Sequence, residues 1–134
     1  MKAEPLRKNL TLNNAASLAG KASGDRLCPK FSFEFLKGDY CLSKCESKEK
    51  SNLASKLHLI GRQNWGDLRR LGRNNGFEPI PTAQLRCRIP DEFKNEATSI
   101  VFHMTGNIPV IGFRREDVFY IIAIDRTFNA YSHG

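Results

Sequence analysis

Three patterns in the 134-residue sequence predict an α+β domain: strand-period alternation from residue 31, two helical stripes between residues 44 and 76, and short turns between apolar runs after residue 98. In chain order they give a strand, two helices and a four-stranded, largely antiparallel meander with the helices on one sheet face. FSFEFL, residues 31–36, sends Phe31, Phe33 and Phe35 to one side of the first strand. Ser43 and Glu46 have capping-box spacing, which starts a helix near Lys44, with Leu53, Leu57 and Ile60 as its stripe and Gly61 as its cap. Asn64 caps a shorter helix carrying Trp65, Leu68 and Leu71 on one side, and Gly72, Asn74, Asn75 and Gly76 end it. Beyond a proline-flanked loop, AQLRCRIP, residues 83–90, alternates Leu85, Cys87 and Ile89 against Arg86 and Arg88, the period of a half-buried strand. SIVFHM, IPVIGF and VFYIIAI follow with short connections, as antiparallel hairpins require, and the all-apolar last run is expected to be central.

The periodic apolar residues begin abruptly at Phe31, so the chain divides into a flexible basic leader, residues 1–27, and a single domain, residues 28–134. A domain of this size buries enough surface to fold without disulfides, and four scattered cysteines behind a non-apolar N-terminus suit a reducing cytoplasm. VFYIIAI is far shorter than a membrane span, so no membrane partner is expected. The sequence carries no glycine-rich phosphate loop, GxSxG elbow or HExxH, and calls for no cofactor. Cys28, Cys41, Cys45 and His58 are a zinc alternative, but with no CxxC they read better as thiols and a surface histidine, and no metal is expected.

The net charge of +7 is concentrated in residues 1–30 and 62–88, each carrying +4. Arginine dominates the second half: Arg62, Arg69, Arg70, Arg73, Arg86, Arg88, Arg114 and Arg115. Its planar fork suits phosphate, and residues 62–88 offer only Asp67 and Glu78 as counter-charges, which favours a polyanion-binding surface over a self-neutralised one. If Phe102 and Met104 face the core, His103 looks out from the sheet beside the arginines. Tyr131 and His133 share a side of an extended tail. With an arginine they would supply the proton donor, proton acceptor and anion stabiliser of phosphodiester transfer; the alternative is a tyrosine that anchors the tail.

The final third, SIVFHMTGNIPVIGFRREDVFYIIAIDRTFNAYSHG, is similar to bacterial and mobile-element proteins with a "GFR, aromatic strand, Asp, Asn-x-Tyr" pattern. With the element order before it, the chain resembles the RelE/ParE-type toxin superfamily over residues 28–134. That resemblance implies a toxin of a toxin–antitoxin or phage-defence type system, acting as a metal-independent endoribonuclease on mRNA, in some relatives on the ribosome, and restrained by a cognate antitoxin protein. By position it assigns Arg86, Arg88 and Arg114 as catalytic cations and Tyr131 or His133 as acid or base. Arg62, Arg69, Arg70, Arg73, Arg115 and His103 become RNA-binding residues. The alternative class is a non-enzymatic basic module that binds an acidic partner or inhibits a DNA-handling enzyme.

Overall fold

The protein was analysed as a computed structural model that describes residues 24–132. Its sheet has five strands: β1 (Lys30–Ser32), β2 (Phe77–Pro81), β3 (Thr98–Met104), β4 (Ile108–Arg115) and β5 (Val118–Ile124), with helices α1 (Ser47–Ile60) and α2 (Trp65–Asn75) between β1 and β2. The expected α+β class holds. The strand order is β1-β5-β4-β3-β2, antiparallel throughout except that β1 pairs parallel with β5. VFYIIAI is therefore an interior strand, flanked on both sides, while β4 occupies the middle.

The local chemistry follows the sequence reading for α2 and departs from it for α1. The Asn64 side chain accepts the Asp67 N–H at 2.8 Å, as an N-cap should. In α1 the capping box is Glu46 with Glu49, three residues later than Ser43 with Glu46; Glu49 Oε1 accepts the Glu46 N–H at 2.7 Å. Leu53 and Ile60 are buried as expected, but in α2 only Trp65 and Leu68 reach the core and Leu71 is 47% exposed.

Two strand expectations fail. The first strand stops at Ser32, after which the chain turns; Phe31 packs with the helix-side core, Phe33 is exposed, and Phe35 meets Phe93 and Tyr120 across the sheet. Leu85 to Ile89 forms no ladder beyond an isolated bridge from Leu85 to Tyr131. The strand after the helices is instead FEPIP, expected to be loop, which can hold Pro79 and Pro81 because it lies at the sheet edge.

Both sheet faces are covered. On one, Leu53, Ile60, Trp65 and Leu68 pack on Phe77, Phe102, Val110, Phe119, Ile121 and Ile124. On the other, Cys87, Phe93, Ala130 and Tyr131 pack on Val101, Ile111, Phe113, Ile122 and Ala123. Residues 82–97 and the segment after β5 thus form a lid of irregular chain over the face the helices leave. Residues 24–27, assigned by sequence to the leader, are already docked: the Trp65 N–H donates to the Leu27 carbonyl at 3.0 Å. The remainder of the leader, 1–23, lies outside the described residues.

Candidate functional site

Every arginine singled out from sequence is partly or fully exposed, so their partners decide what each can do. On the helix side, Arg69 holds Asp25 through both terminal nitrogens, at 2.8 and 3.0 Å, and Arg70 pairs with Asp67 one turn back in α2. Arg114 also reaches Asp25, at 3.0 Å, and its guanidinium carbon sits over the Trp65 ring, 4.5 Å from its centroid. Arg73, at the end of α2, reaches the edge strand and pairs with Glu78 at 2.7 Å. On the far side, Arg115 stacks on Phe93 at 4.5 Å, donates to the Glu92 carbonyl and lies 3.4 Å from Glu96. Among the described residues, Arg62, Arg86 and Arg88 take part in no ion pair.

Arg86 and Arg88 line a groove of about 770 Å³ on the far face, together with Lys37, Asp39, Phe35 and Tyr40 from the turn after β1, and with Cys87, Asp91 and Glu92. The main chain there is held by the segment beyond β5: the Ala130 carbonyl accepts the N–H groups of Arg86 at 2.6 Å and Cys87 at 3.2 Å, and the Ser132 N–H donates to the Gln84 carbonyl at 2.9 Å. The Tyr40 hydroxyl donates to Asn129 Oδ1 at 2.9 Å, closing the opposite wall. Burial pushes the Cys87 thiol up to about 11, which keeps it protonated near neutral pH and removes it as a nucleophile. The groove therefore presents Lys37, Arg86 and Arg88 beside Asp39, Asp91 and Glu92, with aromatic surface and no activated nucleophile.

A second constellation forms at the β2 edge of the same face. His103 Nε2 is 3.8 Å from Glu78 Oε1, the carboxylate that Arg73 holds. Tyr131 belongs to this neighbourhood too, since a hydrogen bond with Arg73 and the Glu78 charge both bear on its hydroxyl, although burial dominates and raises its pKa. Burial likewise lowers the His103 pKa, with the nearby Arg73 charge acting the same way.

The expected catalytic set is thus divided. Arg86 and Arg88 share the groove; Arg114 is on the opposite side of the sheet against Trp65; Tyr131 is only 3% exposed; His133 lies outside the described residues. His103, expected to face outward, is 6% exposed because the lid covers its face. Of the expected RNA-binding residues, Arg73 and His103 come together, while Arg69, Arg70 and Arg62 belong to the helix side and Arg115 to the rim near Glu92. Sequence reasoning missed Lys37 and the role of Glu78, and no local pattern marks either. Among the described residues no three His, Cys, Asp or Glu side chains assemble into a metal-binding group, and Cys28, Cys41, Cys45 and Cys87 are free thiols.

No family model, no curated protein and no solved structure matches the chain.

Proposed function

We propose that the protein is a toxin-type RNA-binding module that holds backbone phosphates with Arg86 and Arg88 in the far-face groove, Lys37 adding charge at its rim and Phe35 and Tyr40 offering ring surface to bases. One observation carries this reading: these two arginines share a groove and make no direct ion pair among the described residues, although Asp39, Asp91 and Glu92 line it too and the Arg88 charge acts on Asp91, whereas Arg69, Arg70, Arg73, Arg114 and Arg115 each hold a carboxylate. A guanidinium that holds no carboxylate directly has no ion pair to give up on meeting a phosphate. Restraint by a cognate antitoxin belongs to the same reading and rests on the RelE/ParE-type resemblance alone.

Cleavage is the second reading, and it has its own observation. Arg73, Glu78, His103 and Tyr131 bring a cation, a carboxylate, an imidazole and a phenol to one end of the face that bears the groove. Metal-independent endoribonuclease chemistry needs those group types around one phosphate. Binding stands ahead of it because His103 and Tyr131 are buried and Arg114 is remote.

Induced expression with mapping of RNA 5′ ends, alongside affinity measured over a salt series, separates the two. Replacing Arg86 and Arg88 with Ala is expected to weaken RNA binding and to reduce the slope of log affinity against log salt by about 1.4, the loss of two phosphate contacts on a single strand. An unchanged slope removes the groove from the reading. New 5′ ends that vanish in Glu78→Gln, with binding retained, would establish cleavage instead.

A further inference from the structure

Asp25 is the resident of a site built for more negative charge than it carries. Two guanidiniums from different elements, Arg69 in α2 and Arg114 at the end of β4, converge on this one carboxylate with contacts of 2.8, 3.0 and 3.0 Å. Two positive charges face one negative charge. Arg114 is fixed by other means as well: its Nε–H donates to the Glu116 carbonyl at 2.7 Å, and its guanidinium carbon lies over the Trp65 ring. Trp65 is itself fully buried, with its indole N–H donating to the Asp117 carbonyl at 3.1 Å. The clamp therefore does not depend on Asp25 for the position of Arg114.

The segment that delivers Asp25 lies tight against the start of α2, where a Cβ added at Gly66 would sit 3.3 Å from the Asp25 carbonyl oxygen. The first turn of a helix adds its own attraction for anions. A phosphate has the charge that two arginines can neutralise and the oxygens that two planar forks can share.

We infer that Arg69 and Arg114 form a phosphate-binding site on the helix side of the sheet, and that Asp25 occupies it as an intramolecular competitor, so that phosphate-bearing ligands bind there when the residue 24–27 segment gives way. This site is independent of the groove and stands or falls without it.

Trp65 is the sole tryptophan of the chain and forms the floor of the clamp, so its fluorescence reports occupancy directly. Inorganic pyrophosphate, a short single-stranded RNA and a poly-glutamate peptide are titrated into the full chain and into Asp25→Asn, Asp25→Ala and Asp25→Ala with Arg69→Ala. Either Asp25 variant is expected to bind pyrophosphate on the order of tenfold more tightly than the unaltered protein, and the added Arg69→Ala to abolish the gain. A gain for RNA without one for pyrophosphate would mean that the site needs a strand rather than a phosphate group, and would overturn the inference as stated. A gain confined to a poly-glutamate peptide would assign the site to an acidic protein and also overturn it. Equal affinity in folded Asp25→Asn, with its nearly unchanged shape, would show the ion pairs to be structural only. The Arg86→Ala, Arg88→Ala protein is expected to keep the Trp65 response, which separates failure here from failure of the groove.

Discussion

Asp125 is fully buried and spends both carboxylate oxygens on the main chain, accepting the N–H groups of Asn129 and Ala130 at 3.0 Å each. The Asp and the Asn-x-Tyr of the C-terminal pattern are thus parts of one turn: Asp125 shapes it, Asn129 takes the Tyr40 hydroxyl, and Tyr131 bridges to Leu85. An amide at position 125 would offer one oxygen for two donors. Asp125→Asn is therefore expected to cost about 2 kcal/mol of folding stability, read from urea denaturation; a loss below a few tenths would show that water or a shifted loop replaces the bond. His103 gives a pH-dependent counterpart. Burial and Arg73 hold its imidazole below the usual value of 6.5, so the unfolded chain takes up this proton more readily than the native one. The stability from neutral His103 is complete above about pH 6.5 and is lost as the pH falls through its lower folded value. Asp25 and Glu49, also held below their usual values of 3.8 and 4.5, add losses only at more acid pH. Melting temperature is expected to decline between pH 7 and 5, and His103→Gln to flatten that decline. An identical decline in the variant would place its origin elsewhere.

At the scale of elements, the pairing of β4 with β5 rests on a close approach that one residue type permits. A Cβ on Gly112 would lie 2.1 Å from the Tyr120 carbonyl oxygen and 2.8 Å from the Phe119 ring. The register slips there, Gly112 facing Ile121 while Ile111 faces Ala123, so Ile122 is an extra residue in β5 and turns with Ala123 toward the far-face core. Gly112→Ala is expected to lose about 3 kcal/mol or more, because main chain must move rather than a side-chain tip; a variant within 1 kcal/mol of the parent in denaturant would mean that the bulge relaxes freely. The strands β3, β4 and β5 were legible because apolar alternation and short turns agree there. FEPIP was not: its prolines read as loop, and only the sheet order reveals an edge that tolerates them. Leu85, Cys87 and Ile89 misled in the opposite sense. Their alternation reports which side chains turn inward, as the buried Cys87 confirms, but says nothing about main-chain pairing. His103 failed for a related reason, since strand period gives the face and not what covers it.

Across the whole molecule, the shortage of acids around the arginines was legible, but the identity of the unneutralised ones was not. Asp67 and Glu78 take Arg70 and Arg73, as a local count allows; Arg69 finds Asp25, forty-four residues away in sequence, which no local pattern could supply. What remains is a molecule in which Arg69, Arg70, Arg73 and Arg114 are each held by a carboxylate, while Arg86 and Arg88 line the far-face groove without a direct ion pair among the described residues. A polyanion would meet Arg86 and Arg88 without displacing an ion pair, and the Arg69–Arg114 clamp only in competition with Asp25.

The segment beyond β5 connects that charge pattern to the fold, and truncation tests how. Ala130 and Ser132 hold the main chain of Gln84, Arg86 and Cys87, while the Tyr131 side chain is part of the far-face core beneath them. Removing residues 131–134 would delete the Leu85 bridge and the Ser132 bond and open the core at Tyr131, so the arginines of the groove would lose their fixed spacing along with any chemistry of the tail. Loss of RNA binding or cleavage in that truncation consequently says nothing specific about catalysis. Removing only residues 133–134 leaves every one of those contacts in place. This shorter truncation is expected to melt at the temperature of the full chain and to bind RNA with unchanged affinity and salt slope, while the longer one is expected to melt at least several degrees lower, as loss of a buried tyrosine from a domain of this size implies. If the shorter truncation binds RNA normally but no longer generates new 5′ ends in cells, His133 takes a chemical role and the cleavage reading moves ahead. If it still arrests growth with no new 5′ ends before or after truncation, the tail is a structural strap for the arginine groove, and binding is what the molecule does.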